Sequence, residues 1–184
     1  MDKLELKDFI MYLPHKLPAK LSQQGIFNLD REYPDSNDRK VGYFSDFCFN
    51  DGEFTGAVKI TDKVYYDVEE GDFEIILRPL SDLTKQIEHN GEKIIPIVEL
   101  AKLTHIKENH IAEISQSVKG TCDGVKYSFG FYNGSFWMKR LRGTKWVDNA
   151  VFNQDELFDK LNEYHFDWKY ELIKKGLAKD INTL

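Results

Sequence analysis

Apolar and polar positions alternate over short stretches through most of the chain, and helical spacing appears at its two ends and briefly in its middle. Leu4, Phe9, Ile10 and Leu13 make one apolar stripe at helical spacing, and Pro14 follows. This predicts a short N-terminal helix stopped by the proline. Four dipeptides then punctuate the chain: Asp51-Gly52, Asn90-Gly91, Asp123-Gly124 and Asn133-Gly134. Each supplies the positive φ angles of a type I′ hairpin turn. Segments of strand character flank them. Leu17 to Leu21 and Ile26 to Leu29 surround Gln24-Gly25, and Phe47 and Phe49 alternate before Asp51-Gly52, with Ala57 to Ile60 beyond it. Val64 to Val68 and Phe73 to Leu77 read as a pair around Glu69-Glu70-Gly71. The clearest hairpin joins Val125 to Tyr132 with Ser135 to Leu141.

Helical signals lie between and after these strands. Ser81 predicts a cap for a helix over Asp82 to Glu88, and Pro96 opens another over Ile97 to Thr104, since proline loses nothing at the first helical position. Residues 106–119 fit strand or helix, and residues 31–40 read as an exposed loop. Asn153 with Glu156 resembles a capping box opening a helix with Leu157, Phe158, Leu161 and Tyr164 on one side. A second helix is predicted from Asp167, striped by Trp168, Leu172 and Ile173 and capped by Gly176. Phe158, Leu161, Trp168 and Leu172 are expected to be mostly buried. The expected fold class is α+β: antiparallel hairpins with an N-terminal helix, short middle helices and a C-terminal helical pair.

Length and composition bound the organisation. At 184 residues the chain predicts a single domain, 1–184, and its 25 aromatics supply ample area to bury. No apolar run approaches the ~18 residues of a membrane helix, and the N-terminal residues lack the layout of a signal peptide, so a cytoplasmic setting is expected. Charge is unevenly spread. Residues 1–92 carry 11 basic and 19 acidic side chains, a net of −8, and residues 93–184 carry 14 and 12, a net of +2. Nine carboxylates lie between Asp46 and Glu74 against Lys59 and Lys63. Such a patch attracts basic surfaces, or simply keeps a face solvated.

Known chemistry is mostly excluded. Phosphate-binding glycine loops are absent, and a calcium loop centred on Gly52 would place Phe47 and Phe49 at ligand positions. His105 and His110 stand about 140° apart on a helix and would not share a metal. His165 and Asp167 have base–orienter spacing but no nucleophile nearby, and a histidine at a helix start with an ordinary structural hydrogen bond explains them better. Cys48 and Cys122 have no CxxC partner, and Cys48 sits in an acidic segment that disfavours a thiolate. No catalytic residue, metal or cofactor is expected. One constellation remains: Trp137, Lys139, Arg140, Arg142, Lys145 and Trp146 put four cations among two tryptophans. Cations hold phosphates and aromatic rings stack on unpaired bases, so RNA contact is one reading. A half-buried amphipathic strand, with Trp137 and Leu141 inward, is the other. Glu69, Glu70 and Asp72 are the acidic candidates for docking a partner.

Two blocks carry a family resemblance. Residues 77–97, LRPLSDLTKQIEHNGEKIIPI, and the segments DELFDKLNEYHFD (155–167) and LIKKGLAKDINTL (172–184) resemble small proteins encoded in phages and prophages of Bacteroidetes-type bacteria. Family members often carry Trp before the histidine, where this chain has Tyr164. The resemblance brings no catalytic motif. It implies a setting, the bacterial cytoplasm during infection or lysogeny. There it suggests a non-enzymatic inhibitor of a host defence nuclease, of anti-CRISPR type, partnered with a nuclease or protein–RNA complex. A phage structural or packaging accessory, or a small carboxylate-based hydrolase, are the alternatives.

Overall fold

Strands that alternate apolar with polar residues must bury one face, and here they do so in separate sheets. The computed structural model describes residues 4–32, 41–50, 53–61, 64–69, 71–106, 110–112 and 117–184. The protein is α+β, rich in antiparallel sheet. Its internal contacts gather into two compact units, residues 1–78 with 170–184 and residues 79–169.

The first unit begins with α1 (Leu6–Phe9), continued by a 3-10 helix over Ile10–His15 that contains Pro14. Proline is tolerated in this tight turn, and the stop comes instead at Lys16, in the left-handed region at φ 57°. Next come β1 (Pro18–Leu21), α2 (Gln23–Glu32), β2 (Val41–Asn50), β3 (Glu53–Thr61), β4 (Val64–Glu69) and β5 (Phe73–Leu77). The expected strand over Ile26 to Leu29 is therefore helix. Ser22 explains why: its Oγ accepts from Gly25 N at 3.0 Å, an N-cap that starts α2. Gly25 is required there, because a Cβ would lie 2.0 Å from the Asp72 carbonyl oxygen.

The sheet runs in the order Ala178–Asp180, β5, β1, β2, β3, β4. Its neighbours are antiparallel except Ala178–Asp180, which lies parallel to β5. β4 and β5 do not pair with each other as expected; β4 lies beside β3 and β5 beside β1. The β2–β3 ladder closes at Asn50 opposite Glu53. Asp51, Gly52, Glu70 and residues 33–40 lie outside the described residues, and residues 31 and 32 of the expected loop end α2 instead. The core joins Phe9, Tyr12, Leu17, Phe44, Val58, Phe73, Ile75 and Leu172, with Phe44 and Phe73 edge to face at 4.8 Å.

The second unit opens with a 3-10 turn at Leu80–Asp82, then β6 (Ile87–His89) and β7 (Glu92–Ile94). The predicted helix over Asp82 to Glu88 does not form. The hairpin turn at Asn90-Gly91 takes its last residues into strand, with Ile87 opposite Ile94. Pro96 does open α3 (Pro96–Leu103). A five-stranded antiparallel sheet follows, β8 (His110–Ala112), β9 (Ser117–Cys122), β10 (Val125–Tyr132), β11 (Ser135–Arg142) and β12 (Lys145–Asn149), ordered β12-β11-β10-β9-β8. The ambiguous residues 106–119 thus contribute strand at both described ends of the β8–β9 pair.

α4 (Gln154–Glu163) completes this unit. Leu157 and Leu161 of α4 and Ile97, Leu100 and Ala101 of α3 pack with Val118, Phe129, Phe131, Phe136 and Met138 of the sheet. The expected capping box is not made. Asn153 sits in the left-handed region at φ 56°, and its Nδ2 donates to the Leu103 carbonyl at 3.4 Å. The second C-terminal helix shrinks to one turn, Leu172–Lys175, and falls in the first unit. Leu161 and Leu172 are buried, while Phe158 and Trp168 are half-buried and stack at 4.5 Å.

Candidate functional site

Strand alternation assigns each residue of the five-stranded sheet to a face. Cross-strand register puts Phe129 opposite Met138 and Phe131 opposite Phe136, and these point into the helix-covered core. The intervening positions form the outer face. Trp137 lies opposite Gly130, Lys139 opposite Ser128 and Asp148, Trp146 opposite Leu141, and Lys119 opposite Ser128. Lys126 and Tyr132 share this face by the same alternation. So Trp137 and Leu141 do not point inward. Phe136 and Met138 take that place because α3 and α4 supply apolar partners only on their side.

The outer face is aromatic and basic. Tyr132 is 68% and Trp146 40% exposed, Trp137 is half-buried, and Lys119, Lys126 and Lys139 are exposed. Ser117, Ser128 and Gly130 form a buried floor of small residues in its middle. Lys119 Nζ stands 6.0 Å from the Trp146 ring centroid, and Lys139 Nζ 6.0 Å from that of Trp137. β9 and β12 are separated by two strands, about 14 Å at ordinary strand spacing. Lys119 and Trp146 therefore lean toward each other across the face. Among the described residues Asp148 is the acidic one there, 3.9 Å from Lys139 with its side chain 92% exposed.

The sheet splits the constellation found in the sequence. Trp137, Lys139 and Trp146 share the outer face. Arg140, Arg142 and Lys145 alternate to the other side, beyond the apolar cluster, with Arg142 opposite Lys145. Arg140 keeps a buried Nε with no hydrogen-bond partner among the described residues. Lys119, Lys126 and Tyr132 were missed in the sequence because they lie on other strands or across a turn. Only pairing register brings them to the tryptophans. Of the acidic candidates, Glu69 ends β4 and Glu70 lies outside the described residues. Asp72 holds α2 in place: its carboxylate accepts from Asn28 Nδ2 at 2.9 Å and its carbonyl from Ser22 N at 2.8 Å. Glu74 pairs with Lys179 at 3.2 Å, and Asp67 is exposed.

A second cluster lies in the same unit. A cavity of about 310 Å³ is lined by the β6–β7 hairpin, α3 and the end of α4, including His89, Glu99, Lys102, Lys160, Glu163 and Tyr164. Glu163 accepts from His89 Nε2 at 3.2 Å and from Lys160 Nζ at 2.6 Å. Partial burial pushes the Glu163 carboxyl up, but the hydrogen bonds and charges of Lys160 and His89 outweigh it and hold the group below its ordinary value. Burial, joined by the negative fields of Glu163 and Glu99, raises the Tyr164 phenol far above its ordinary value and keeps it protonated. This is a base–orienter pair, His89 with Glu163, but among the described residues no Ser, Thr or Cys lines the cavity. It reads as an ionic tie between the hairpin and α4.

Two further histidines close helices. Both α3 and α4 end in a Schellman motif with a histidine as the left-handed residue, His105 at φ 68° and His165 at φ 58°. Ile106 N reaches the Ala101 carbonyl and Phe166 N the Leu161 carbonyl, at 3.3 and 3.0 Å. His165 thus closes one helix and does not begin another. Among the described residues no group of three His, Cys, Asp or Glu is placed to hold a metal ion, and no helix is long and apolar enough to cross a membrane. Comparison with known protein families, with curated proteins and with solved structures finds no match for this chain.

Proposed function

We propose that this chain is a non-enzymatic binding protein that docks on a protein–RNA complex through the outer face of its five-stranded sheet. The observation that carries the reading is the placement of Trp137, Trp146 and Tyr132 with Lys119, Lys126 and Lys139 on one solvent-facing surface. Aromatic rings among cations suit a partner that presents bases and phosphates. The phage-like blocks at 77–97 and 153–184 supply the setting, the cytoplasm of an infected bacterium. There a guide-RNA-bearing defence nuclease is the partner of matching chemistry, and the protein acts as its inhibitor.

The test is affinity capture of the tagged protein from host cells, with sequencing of co-purified RNA and identification of co-purified protein. Nuclease subunits with small RNA, lost on the Trp146→Ala and Lys139→Ala double substitution, support the reading. Capsid or packaging components instead would replace it with the accessory role, and hydrolysis of a substrate at the His89 cavity would replace it with an enzyme.

A further inference from the structure

We infer that the outer sheet face binds a single strand of nucleic acid by exchanging two internal lysine–tryptophan contacts for base stacks. The inference rests on the reading above and names what the face holds. In the free protein, Lys119 covers Trp146 and Lys139 covers Trp137, each at 6.0 Å from ring centroid to Nζ. A cation–π contact at an exposed site is weak. A base stacked on the same ring contributes more. The ring therefore prefers the base, and the displaced ammonium finds a phosphate on the same strand. The lysines hold the tryptophans in a wet, separated arrangement until a ligand arrives.

Three features favour a single strand over a duplex. The tryptophans stand on β11 and β12, and the middle of the face is floored by the small residues Ser117, Ser128 and Gly130. Bases reach such rings only when unstacked, whereas a duplex presents backbone to a sheet face. The cations are interleaved with the aromatics: Lys139 sits between Trp137 and Leu141 on β11, and Lys119 leans across to Trp146. The charge supports it too, because three lysines share the face with Asp148, the one acidic residue there among the described residues.

The experiment measures anisotropy of labelled 12-mers: single-stranded RNA, single-stranded DNA and a duplex of the same sequence. Single strands are expected to bind at least tenfold more tightly than the duplex. The RNA and DNA arms identify which source the face prefers. Trp146→Ala is expected to weaken single-strand binding about tenfold. Lys119→Ala and Lys139→Ala are each expected to lower the slope of log affinity against log salt by about 0.7, while Lys145→Ala, on the other face, leaves that slope unchanged. Equal affinity for duplex and single strand, or wild-type binding by Trp146→Ala, overturns the inference. Thermal melting of each variant shows that a loss is not unfolding; Trp137→Phe, which keeps a ring, is expected to retain most binding. Capture of an RNA-bearing complex without binding of free 12-mers defeats this inference and leaves the proposed function standing. Binding of 12-mers without any such complex does the reverse.

Discussion

The two faces of the five-stranded sheet are built from the same strands and differ in what covers them. On the inner face stand Val118, Phe129, Phe131, Phe136 and Met138, none more than 6% exposed. On the outer face stand Lys119, Lys126, Tyr132, Trp137, Lys139 and Trp146. Phenylalanine, with no polar atom to satisfy, goes where helices cover it; Tyr132, Trp137 and Trp146, each with a hydrogen-bonding end, stand on the wet side, while Tyr127 lies half-buried on the inner side opposite Arg140. The inner face is closed by the helices, and the outer face keeps its lysines and Tyr132 exposed.

Breaking this comparison is easiest where burial is deepest. Phe129 is fully buried and stacks on Phe136 at 5.6 Å. Phe129→Ala is expected to cost about 3–5 kcal/mol, the range for truncating a buried phenylalanine. Denaturant unfolding measures it. Trp146→Ala removes a larger side chain from an exposed edge strand and is expected to cost under about 1 kcal/mol. Equal losses would show that both faces are structural.

The same alternation shows how far the sequence could be read. The β10–β11 hairpin was legible, because alternating residues flank Asn133-Gly134, whose asparagine and glycine take φ 48° and 73°. That Phe136 and Trp137 face opposite ways was legible too. Which of them faces inward was not. Phe136, Met138, Arg140 and Arg142 share one side, and Trp137, Lys139 and Leu141 the other, so each side mixes apolar residues with cations. The inner side is apolar only while α3 and α4 cover it, and Arg140 marks where that cover ends. Helix α2 was misread because Ile26, Phe27 and Leu29 suit a strand, while its cap depends on Ser22. Ser22 Oγ also donates to the Gly71 carbonyl at 2.6 Å, a contact 49 positions away in the chain. The candidate site was half legible: the hairpin's tryptophans and Lys139 were visible, whereas Lys119 and Lys126 reached it only through pairing.

A smaller effect sharpens the inner side of the comparison, where the helices that cover the sheet meet the β6–β7 hairpin. Glu163 has a folded-state pKa below its ordinary value, so its contribution to stability is present above the unfolded pKa. That contribution is lost as pH falls through the folded one. Glu163→Gln is expected to lower stability by roughly 0.5–1 kcal/mol at pH 7, the scale of a partly exposed ion pair. The variant and wild type should converge as the pH is lowered below about 4. Unfolding curves at pH 7, 5 and 3 check this. A constant difference across the range would mean that shape, and not charge, ties His89 to the helix.

The smallest expected effect concerns how those covering helices end. His105 is exposed and holds φ 68° as the residue after the C-cap of α3, a conformation that costs a side-chain-bearing residue about 1–2 kcal/mol. The energy is recovered by the bond from Ile106 N to the Ala101 carbonyl, which seats Ile106 in the core at 1% exposure. Glycine takes the same conformation without strain but costs about 0.5–1 kcal/mol more in unfolded-chain entropy. His105→Gly is therefore expected to raise stability by about 0.5 kcal/mol, read as a rise in melting temperature, with single-strand binding at the outer face unchanged. His105→Val, β-branched in a left-handed conformation, is expected to lower it. If both substitutions are neutral, the helix end frays in solution and Ile106 is anchored by its burial alone.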